Sequence, residues 1–229
     1  MFDPSKFQAV LWDMDDTLYS RVEAAHRTYP SMFRDLLYPC RDDAFLQAAA
    51  DYMITLVDRR SMIGKEAFQA LIQRFPPDKP FDLTACQEYY FDHMHKFAEA
   101  GQEQVAVLKK LRALGIKTAI VTNVDLSRAA FQRNKIRALG LEPLFDAIVL
   151  SGEAGAHKPD RLVYDYTTNL LSVPNEACVF VGDNPDADIQ GALNADMEAV
   201  WIDVWGDGDL FAGNPKVHRV QSVLEYFTL

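Results

Sequence analysis

Two aspartates separated by a single residue, Asp13 and Asp15, follow an apolar run over residues 7–12. The run predicts a buried strand, and because side chains alternate along an extended backbone, both carboxylates would lie on the same side of the chain. Like charges this close repel, and each carboxylate costs several kcal/mol to desolvate unless it is paired or bound to a cation. The spacing therefore predicts a metal site or an acid/base pair at the end of this strand.

Two further polar segments follow apolar runs in the same way. Thr122 and Asn123 come directly after residues 116–121, and their side chains and backbone N–H groups could hold an oxyanion. Lys158 stands in a later loop and precedes Pro159, which we expect in the first turn of a helix. These segments would add hydrogen-bond donors and one positive charge to the carboxylates.

A fourth segment is acidic. It follows residues 177–181 and contains Asp183, Asp186 and Asp188, of which Asp186 is predicted to cap a helix. Mg²⁺ prefers oxygen ligands and keeps waters while it shares a phosphate group. An attacking carboxylate and a phosphate dianion about 4 Å apart repel by roughly 4 kcal/mol per charge pair at an effective dielectric of about 20. Mg²⁺ and Lys158 would offset that repulsion.

The apolar runs that precede these segments predict the strands of a parallel sheet. They cover residues 7–12, 116–121, 147–150, 177–181 and 199–202. Helical patterns lie between them, and two apolar stripes predict buried helix faces: Val105, Leu108, Leu111 and Leu114, and Leu162, Tyr166 and Leu170. Strands that alternate with helices form βαβ units, in which ligands bind beyond the carboxyl ends of the strands.

This alternation stops between residue 19 and about residue 101. The stretch is helical in character, and the proline-rich residues 76–80 divide it into at least two groups of helices. Its length of about eighty residues is too great for an ordinary loop. We therefore predict an α/β domain made of residues 1–18 and 102–229, and an all-helical domain of residues 19–101 inserted after the first strand.

Composition limits the classes of function. Among 229 residues the apolar fraction is 49%, and the net charge of -10 argues against a nucleic-acid partner, since phosphate backbones need a basic footprint. No apolar run approaches the roughly 20 residues of a membrane span, and the first residues lack a signal-peptide pattern. The three cysteines form no CxxC pair. We expect free thiols and a cytoplasmic protein without a membrane partner.

The four segments together resemble the four motifs of the haloacid dehalogenase superfamily. They are residues 13–18, 121–123, 158–160 and 182–188, in the order of the family and each after an apolar run. The helical insertion resembles the helical cap of the subfamily that contains phosphoglycolate phosphatase and small nucleotidases. The resemblance covers essentially the whole chain and implies an α/β fold, with a Rossmann-like doubly wound parallel sheet and a second, smaller all-helical cap domain.

The resemblance implies a phosphatase that acts on a small phosphorylated metabolite and assigns roles to the motif residues. Asp13 would be the nucleophile that forms an aspartyl-phosphate. Asp15 would protonate the leaving group and then activate water. Thr122 and the Asn123 N–H would bind the phosphoryl oxygens, and Lys158 would bridge the nucleophile and the phosphate.

By the same resemblance the cofactor is Mg²⁺. Its direct ligands would be Asp13, the backbone carbonyl of Asp15 and Asp183. Asp188 would not bind the ion directly but would lie next to these ligands. The substrate would lie under the cap, where Tyr19, Arg21 and His26 are candidate contacts, and the protein would be a monomer or a homodimer. His93 and His95 have a metal-like H-x-H spacing, but in a helical, aromatic segment a packing role is favoured.

Three other functions remain open at this stage. A phosphomutase would return the phosphate to another position of the substrate, although Asp16 in place of the glycine common in small phosphohexose mutases favours a hydrolase. A haloacid dehalogenase uses the same nucleophile without metal, but enzymes of that kind lack the second carboxylate that Asp15 provides here. A binding protein on a catalytically inactive scaffold is disfavoured by the intact motifs.

Overall fold

The structure is a computed structural model that describes residues 1–57 and 61–228. The chain forms two compact units, Met1–Tyr19 with Ala100–Leu229, and Ser20–Glu99. The sequence predicts these boundaries after residues 18 and 101. No helix among the described residues is long and apolar enough to span a membrane. The cysteines carry free thiols, with Cys40 exposed and Cys86 and Cys178 buried.

The unit Ser20–Glu99 is helical in its described part. Its helices are α1 (Arg21–Leu36), α2 (Asp43–Ile54), α3 (Lys65–Arg74) and α4 (Leu83–His93). Short polar side chains begin three of them, since Ser20, Asp42 and Asp82 accept hydrogen bonds from backbone N–H groups of the first turn. The core is aromatic, with Tyr29 stacked on Phe33 at 5.5 Å between ring centroids.

The histidines of this unit make local contacts. The His93 ring stacks on Tyr89, with 4.0 Å between ring centroids, and its Nδ1 lies 2.9 Å from the carbonyl of that residue. The predicted packing role fits these contacts of His93. His26 Nε2 lies 2.7 Å from Asp51 Oδ1, so a carboxylate of the same unit engages this candidate substrate contact.

The other unit is built on a six-stranded sheet in its described part. The strands are β1 (Ala9–Trp12), β2 (Lys117–Thr122), β3 (Ala147–Leu150), β4 (Cys178–Gly182), β5 (Glu198–Ile202) and β6 (Val217–Val220). Their order is β3-β2-β1-β4-β5-β6, and every neighbouring pair is parallel. The predicted α/β fold with a doubly wound parallel sheet is confirmed. The strand β6 was not predicted, because its half-exposed sequence Val-His-Arg-Val lacks an apolar run.

Helices cover the sheet. They are α5 (Gln102–Ala113), α6 (Ala129–Ala138), α7 (Ser151–Ala154), α8 (Arg161–Leu171) and α9 (Gly191–Asn194), and a π-helical turn covers Pro185–Gln190. Tyr164 of α8 packs edge-on against Phe180 of β4, and Trp12 of β1 stacks on Phe227. All four side chains are buried. The strands β1 and β4, which lie at the centre of the sheet, are therefore packed against their neighbours.

The predicted buried face of α8 was wrong. Leu162, Tyr166 and Leu170 are exposed by 64%, 46% and 55%, and the buried face instead carries two threonines, Thr167 and Thr168. The hydroxyls of these threonines donate to backbone carbonyls one turn earlier in the helix. Polar side chains that satisfy themselves locally can be buried, so apolar spacing alone did not identify this face.

The predicted face of α5 was partly right. Leu108 and Leu111 are fully buried, as predicted, whereas Leu114 lies past the last helical residue and is 51% exposed. Val107 is buried in its place, and Val105 is half-buried. The predicted face therefore holds at Leu108 and Leu111 and fails at Leu114, where the helix has already ended.

Candidate active site

The register of the sheet brings three of the loops that carry candidate site residues to one edge. Trp12 of β1 lies opposite Ile120 of β2 on one side and Val181 of β4 on the other. The Asp13 N–H continues the pairing by donating to the Val181 carbonyl at 2.8 Å. The residues that follow β1, β2 and β4 therefore emerge side by side at the carboxyl ends of parallel strands, where α/β proteins bind their ligands.

Lys158 joins two of these loops through its buried ammonium group. Its side chain is 2% exposed, and Nζ donates to Asp13 Oδ1 at 2.5 Å and to Asp188 Oδ1 at 2.7 Å. The Asn123 side chain fixes the backbone of this lysine twice: Nδ2 donates to the Lys158 carbonyl, and Oδ1 accepts from the Lys158 N–H, both at 2.9 Å. Asn123 therefore positions the lysine, a role that the sequence analysis did not assign to its side chain.

The predicted place of Pro159 was wrong. The helix α8 begins at Arg161, and Asp160 is its N-cap, with its carboxylate accepting from the Leu162 N–H at 3.0 Å. Pro159 thus lies before the cap, outside the helix. The Asp160 carboxylate accepts from the first turn, so the helix begins two residues later than the proline pattern indicated.

Asp188 lies directly against the end of β4. A Cβ at Gly182 would stand 2.5 Å from the Asp188 Cβ and Cγ atoms, so only glycine leaves room for this carboxylate. The Asn184 N–H donates to Asp188 Oδ2 at 3.0 Å. The N-cap of the following turn is Asn184, whose side chain accepts from two backbone N–H groups. The cap predicted at Asp186 was wrong, because Asn184, which directly precedes the turn, already binds these N–H groups.

Asp183 is held by two tryptophans. Trp201 of β5 donates its indole N–H to the Asp183 carbonyl at 3.0 Å, and Trp205 donates to the carboxylate oxygen Oδ2 at 3.1 Å. Trp201 is buried in the core, whereas Trp205 lies in the loop after β5 and contacts the carboxylate itself.

Thr122 and Asp15 are each supported from helix α6. Gln132 donates to Thr122 Oγ1 at 3.0 Å, and Lys135 donates to Asp15 Oδ1 at 2.7 Å. Both supporting side chains are buried. Sequence reasoning missed them, because a glutamine and a lysine on an amphipathic helix carry no local signal of burial. Asp16, the residue in place of the mutase glycine, is buried with a backbone φ of +59°.

Burial and charge shape the electrostatics of the cluster. Burial raises the pKa of the Asp13 carboxyl to about 7; Lys158 opposes this shift, while the neighbouring carboxylates of Asp188 and Asp15 reinforce it. Burial would lower the pKa of the Lys158 ammonium, but Asp13 and Asp188 together raise it above its usual value. The lysine therefore stays protonated, whereas Asp13 resists ionisation unless more positive charge arrives.

The same residues fit a divalent cation. Asp13, Asp183 and Asp188 are buried and offer carboxylate oxygens that all lie within 4.8 Å of one another. With every group ionised, these three residues and Asp15 carry four negative charges. Lys158 and Lys135 supply only two positive charges. A hard dication with oxygen ligands would neutralise the remainder. The donor set is thus one that can hold Mg²⁺.

The structure brings most of the predicted site residues together. Asp13, Lys158 and Asp188 are in direct contact, and Asp183 offers an oxygen to the same cluster. Asn123 contacts the backbone of Lys158. Asp15 comes after β1 and Thr122 ends the neighbouring β2, and their side chains accept from Lys135 and Gln132 of α6. Arg21 and His26 belong to the helical unit.

Comparison with known proteins agrees with this geometry. Residues 7–196 match the family of haloacid dehalogenase-like hydrolases. The chain belongs to this family. The resemblance read from the four motifs is thereby confirmed, and the chain is a phosphatase of this hydrolase family, as its relatives are.

Among its relatives is the human N-acylneuraminate-9-phosphatase, which is 30% identical over 96% of this chain and 92% of its own length. A glyceraldehyde 3-phosphate phosphatase from Methanopyrus kandleri is 28% identical over 85% of this chain and 83% of its own. In fold, the hydrolase is similar to the HAD-type protein YfnB from Bacillus subtilis, whose crystal structure is bound to magnesium. The two align with a TM-score of 0.71 and 20% identity over 97% of each chain.

Proposed function

We propose that this phosphatase is Mg²⁺-dependent and hydrolyses a small phosphomonoester through an aspartyl-phosphate on Asp13. The observation that carries the proposal is the buried contact of Lys158 with Asp13 and Asp188, beside the third carboxylate of Asp183. Four such groups are costly to bury, and the cost is offset when a dication and a phosphate complete the charge balance.

In the proposed first step an Asp13 carboxylate oxygen attacks phosphorus as the bond to the leaving oxygen breaks. The leaving oxygen takes its proton from the carboxyl group of Asp15. Lys158 holds Asp13 in place and offsets part of the repulsion between the carboxylate and the phosphoryl oxygens. Mg²⁺, held by Asp13, Asp183 and the backbone carbonyl of Asp15, with Asp188 behind them, would neutralise phosphoryl charge and align the group for displacement.

In the second step Asp15, now ionised, removes a proton from water, and the resulting hydroxide attacks the phosphorus of the aspartyl-phosphate. The products are inorganic phosphate and a free Asp13 carboxylate. Thr122 is suited to bind a phosphoryl oxygen in both steps. Because Gln132 donates to Thr122 Oγ1, the hydroxyl hydrogen is left to donate elsewhere. The backbone N–H of Asn123 would add a second donor.

The test is phosphate release from an aryl phosphate in the presence of Mg²⁺. Asp13→Asn removes the nucleophile and keeps the shape of the side chain, so we expect no turnover with an unchanged circular dichroism spectrum. Asp186→Asn is the matched control, since this aspartate is exposed in the turn after β4, between Asp183 and Asp188, and it should keep full activity. Near-wild-type turnover by Asp13→Asn would refute the mechanism.

Removal of metal tests the cofactor. EDTA should stop turnover, and added Mg²⁺ should restore it. Full activity without metal would contradict the Mg²⁺ proposal and favour the dehalogenase alternative. A panel of nucleoside monophosphates, flavin mononucleotide and sugar phosphates would then identify the substrate class.

A further inference from the structure

Lys135 is a buried cation next to the proposed acid/base residue. It lies on α6, and its side chain is 3% exposed. Nζ donates to Asp15 Oδ1 at 2.7 Å and to the Tyr19 hydroxyl oxygen at 2.9 Å. The Tyr19 hydroxyl itself donates to the same Oδ1 atom. Three polar groups therefore form a closed triangle, which we call the Asp15 triangle, with both donors converging on one carboxylate oxygen.

The surroundings leave the Lys135 ammonium little freedom to move. It lies 5.0 Å from the centre of the Tyr19 ring and 5.6 Å from the centre of the Phe131 ring. Both distances are within the range of cation–π attraction. A buried ammonium group costs several kcal/mol unless it is paired with good geometry. The pairing with the Asp15 carboxylate offsets the desolvation of the Lys135 ammonium group.

We propose that Lys135 is a positioning residue for the reaction and that, together with Tyr19, it fixes the carboxylate of Asp15 in the orientation that proton transfer needs. The proposal rests on the proposed function, because it assigns Lys135 an effect only through the acid/base role of Asp15. Lys135 touches neither the phosphate nor the nucleophile in this scheme. Its effect is to prevent the Asp15 side chain from rotating away from the leaving oxygen.

A positioning role has a chemical signature that a purely structural role lacks. When the phosphorus–oxygen bond breaks, an alkoxide leaving group must receive the Asp15 proton, whereas a dinitrophenolate leaves as a stable anion without it. Misplacing Asp15 should therefore slow the cleavage of alkyl phosphates and spare that of activated aryl phosphates. A general damage to the site would slow both substrates by the same factor.

The experiment measures kcat/KM for glycerol phosphate and for 2,4-dinitrophenyl phosphate. Lys135→Met keeps the length of the side chain without its charge, and Lys109→Met, at an exposed position of α5, is the control. General acid catalysis contributes about 10²- to 10⁴-fold. We therefore expect Lys135→Met to lose at least about tenfold more activity on the alkyl than on the aryl substrate, and Lys109→Met to lose activity on neither.

A double-variant cycle completes the test. In an Asp15→Asn background, Lys135→Met should cause no further loss on either substrate, because the group on which it acts is already removed. Equal losses on both substrates, or a full additional loss in the Asp15→Asn background, would overturn the proposal. If Lys135→Met fails to fold, Tyr19→Phe opens the Asp15 triangle by removing a single hydroxyl and is expected to show the same selective loss.

Failure of this proposal is distinguishable from failure of the proposed function. If Asp13→Asn abolishes activity but Lys135→Met causes equal losses on both substrates, the proposed mechanism stands and only the role of Lys135 is refuted. Activity of the Asp13→Asn variant would instead refute the proposed mechanism itself.

Discussion

Gly182→Ala is expected to damage both stability and catalysis, because a methyl group at this position would occupy the space of Asp188. The new Cβ would stand 2.5 Å from the Asp188 Cβ and Cγ atoms, roughly 1 Å closer than the contact distance of about 3.5 Å between carbon atoms. The Cβ atom belongs to the root of the side chain and cannot swing away. Backbone or carboxylate must shift, and overpacking of this kind costs about 1–3 kcal/mol.

The shift would also weaken the charge cluster. Asp188 would move relative to Lys158 Nζ, now 2.7 Å away, and relative to the Asn184 N–H, now 3.0 Å away. A displacement of about 1 Å in an active site can cost about 100-fold in rate. We therefore expect kcat/KM for an aryl phosphate to fall by about 100-fold, together with the loss of unfolding free energy.

The assay combines urea denaturation, followed by circular dichroism, with steady-state kinetics in Mg²⁺. Gly64→Ala is the control, since the nearest atom to its added Cβ would be 3.8 Å away, and it should change the unfolding free energy by less than about 1 kcal/mol. A Gly182→Ala variant with the stability and the kcat/KM of the wild type would refute the argument that this close approach shapes the site.

Three further predictions concern the groups around the cluster. Asn123→Ala removes two hydrogen bonds to the backbone of Lys158, so urea denaturation should show a loss of about 1–3 kcal/mol, and an unchanged midpoint and slope would contradict it. Trp205→Phe removes the indole donor to Asp183 Oδ2 and should weaken Mg²⁺ binding, measured by titration calorimetry, by about tenfold or more; an unchanged affinity would show that the contact does not orient the carboxylate. Because burial raises the pKa of Asp13 to about 7 in the metal-free protein, Mg²⁺ must displace a proton below that pH. Its affinity should therefore fall as the pH drops from 8 to 6, with a proton release that calorimetry in two buffers detects, whereas a pH-independent affinity would refute this linkage.

The strand ends were predictable because each buried parallel strand is a continuous apolar run followed by polar residues. Asp13 and Asp183 directly follow β1 and β4, and Thr122 is the last residue of β2, as that pattern indicates. The edge strand β6 escaped the same reasoning, since one side of it faces away from the sheet and its central residues are His218 and Arg219.

The side chains that support the site could not be predicted in this way. Lys135 and Gln132 are remote in sequence from Asp15 and Thr122, and only the packing of α6 brings them together. Their residue types are those of a solvent-exposed helix face, so periodicity assigns them to the surface. Trp205 is similar, because its contact depends on the path of a loop.

The local corrections have a common physical cause. The sequence pattern predicted Pro159 inside a helix, Asp186 as a cap, and an apolar face on α8. In each case a hydrogen bond between a polar side chain and the backbone decided the outcome: the Asp160 and Asn184 caps accept from N–H groups, and the threonine hydroxyls of α8 donate to carbonyls. Spacing of apolar residues contains no information about such bonds.

The central claim, that Asp13 is the nucleophile, is tested most directly by trapping the phosphorylated enzyme. The enzyme is mixed with excess substrate and Mg²⁺, quenched in acid within the first turnovers, digested, and analysed by mass spectrometry. The mechanism predicts one phosphoryl group on the peptide that contains Asp13, absent in Asp13→Asn and enriched in Asp15→Asn, which cannot activate water. Turnover without any phosphorylated peptide, or with the label on another residue, would contradict the mechanism.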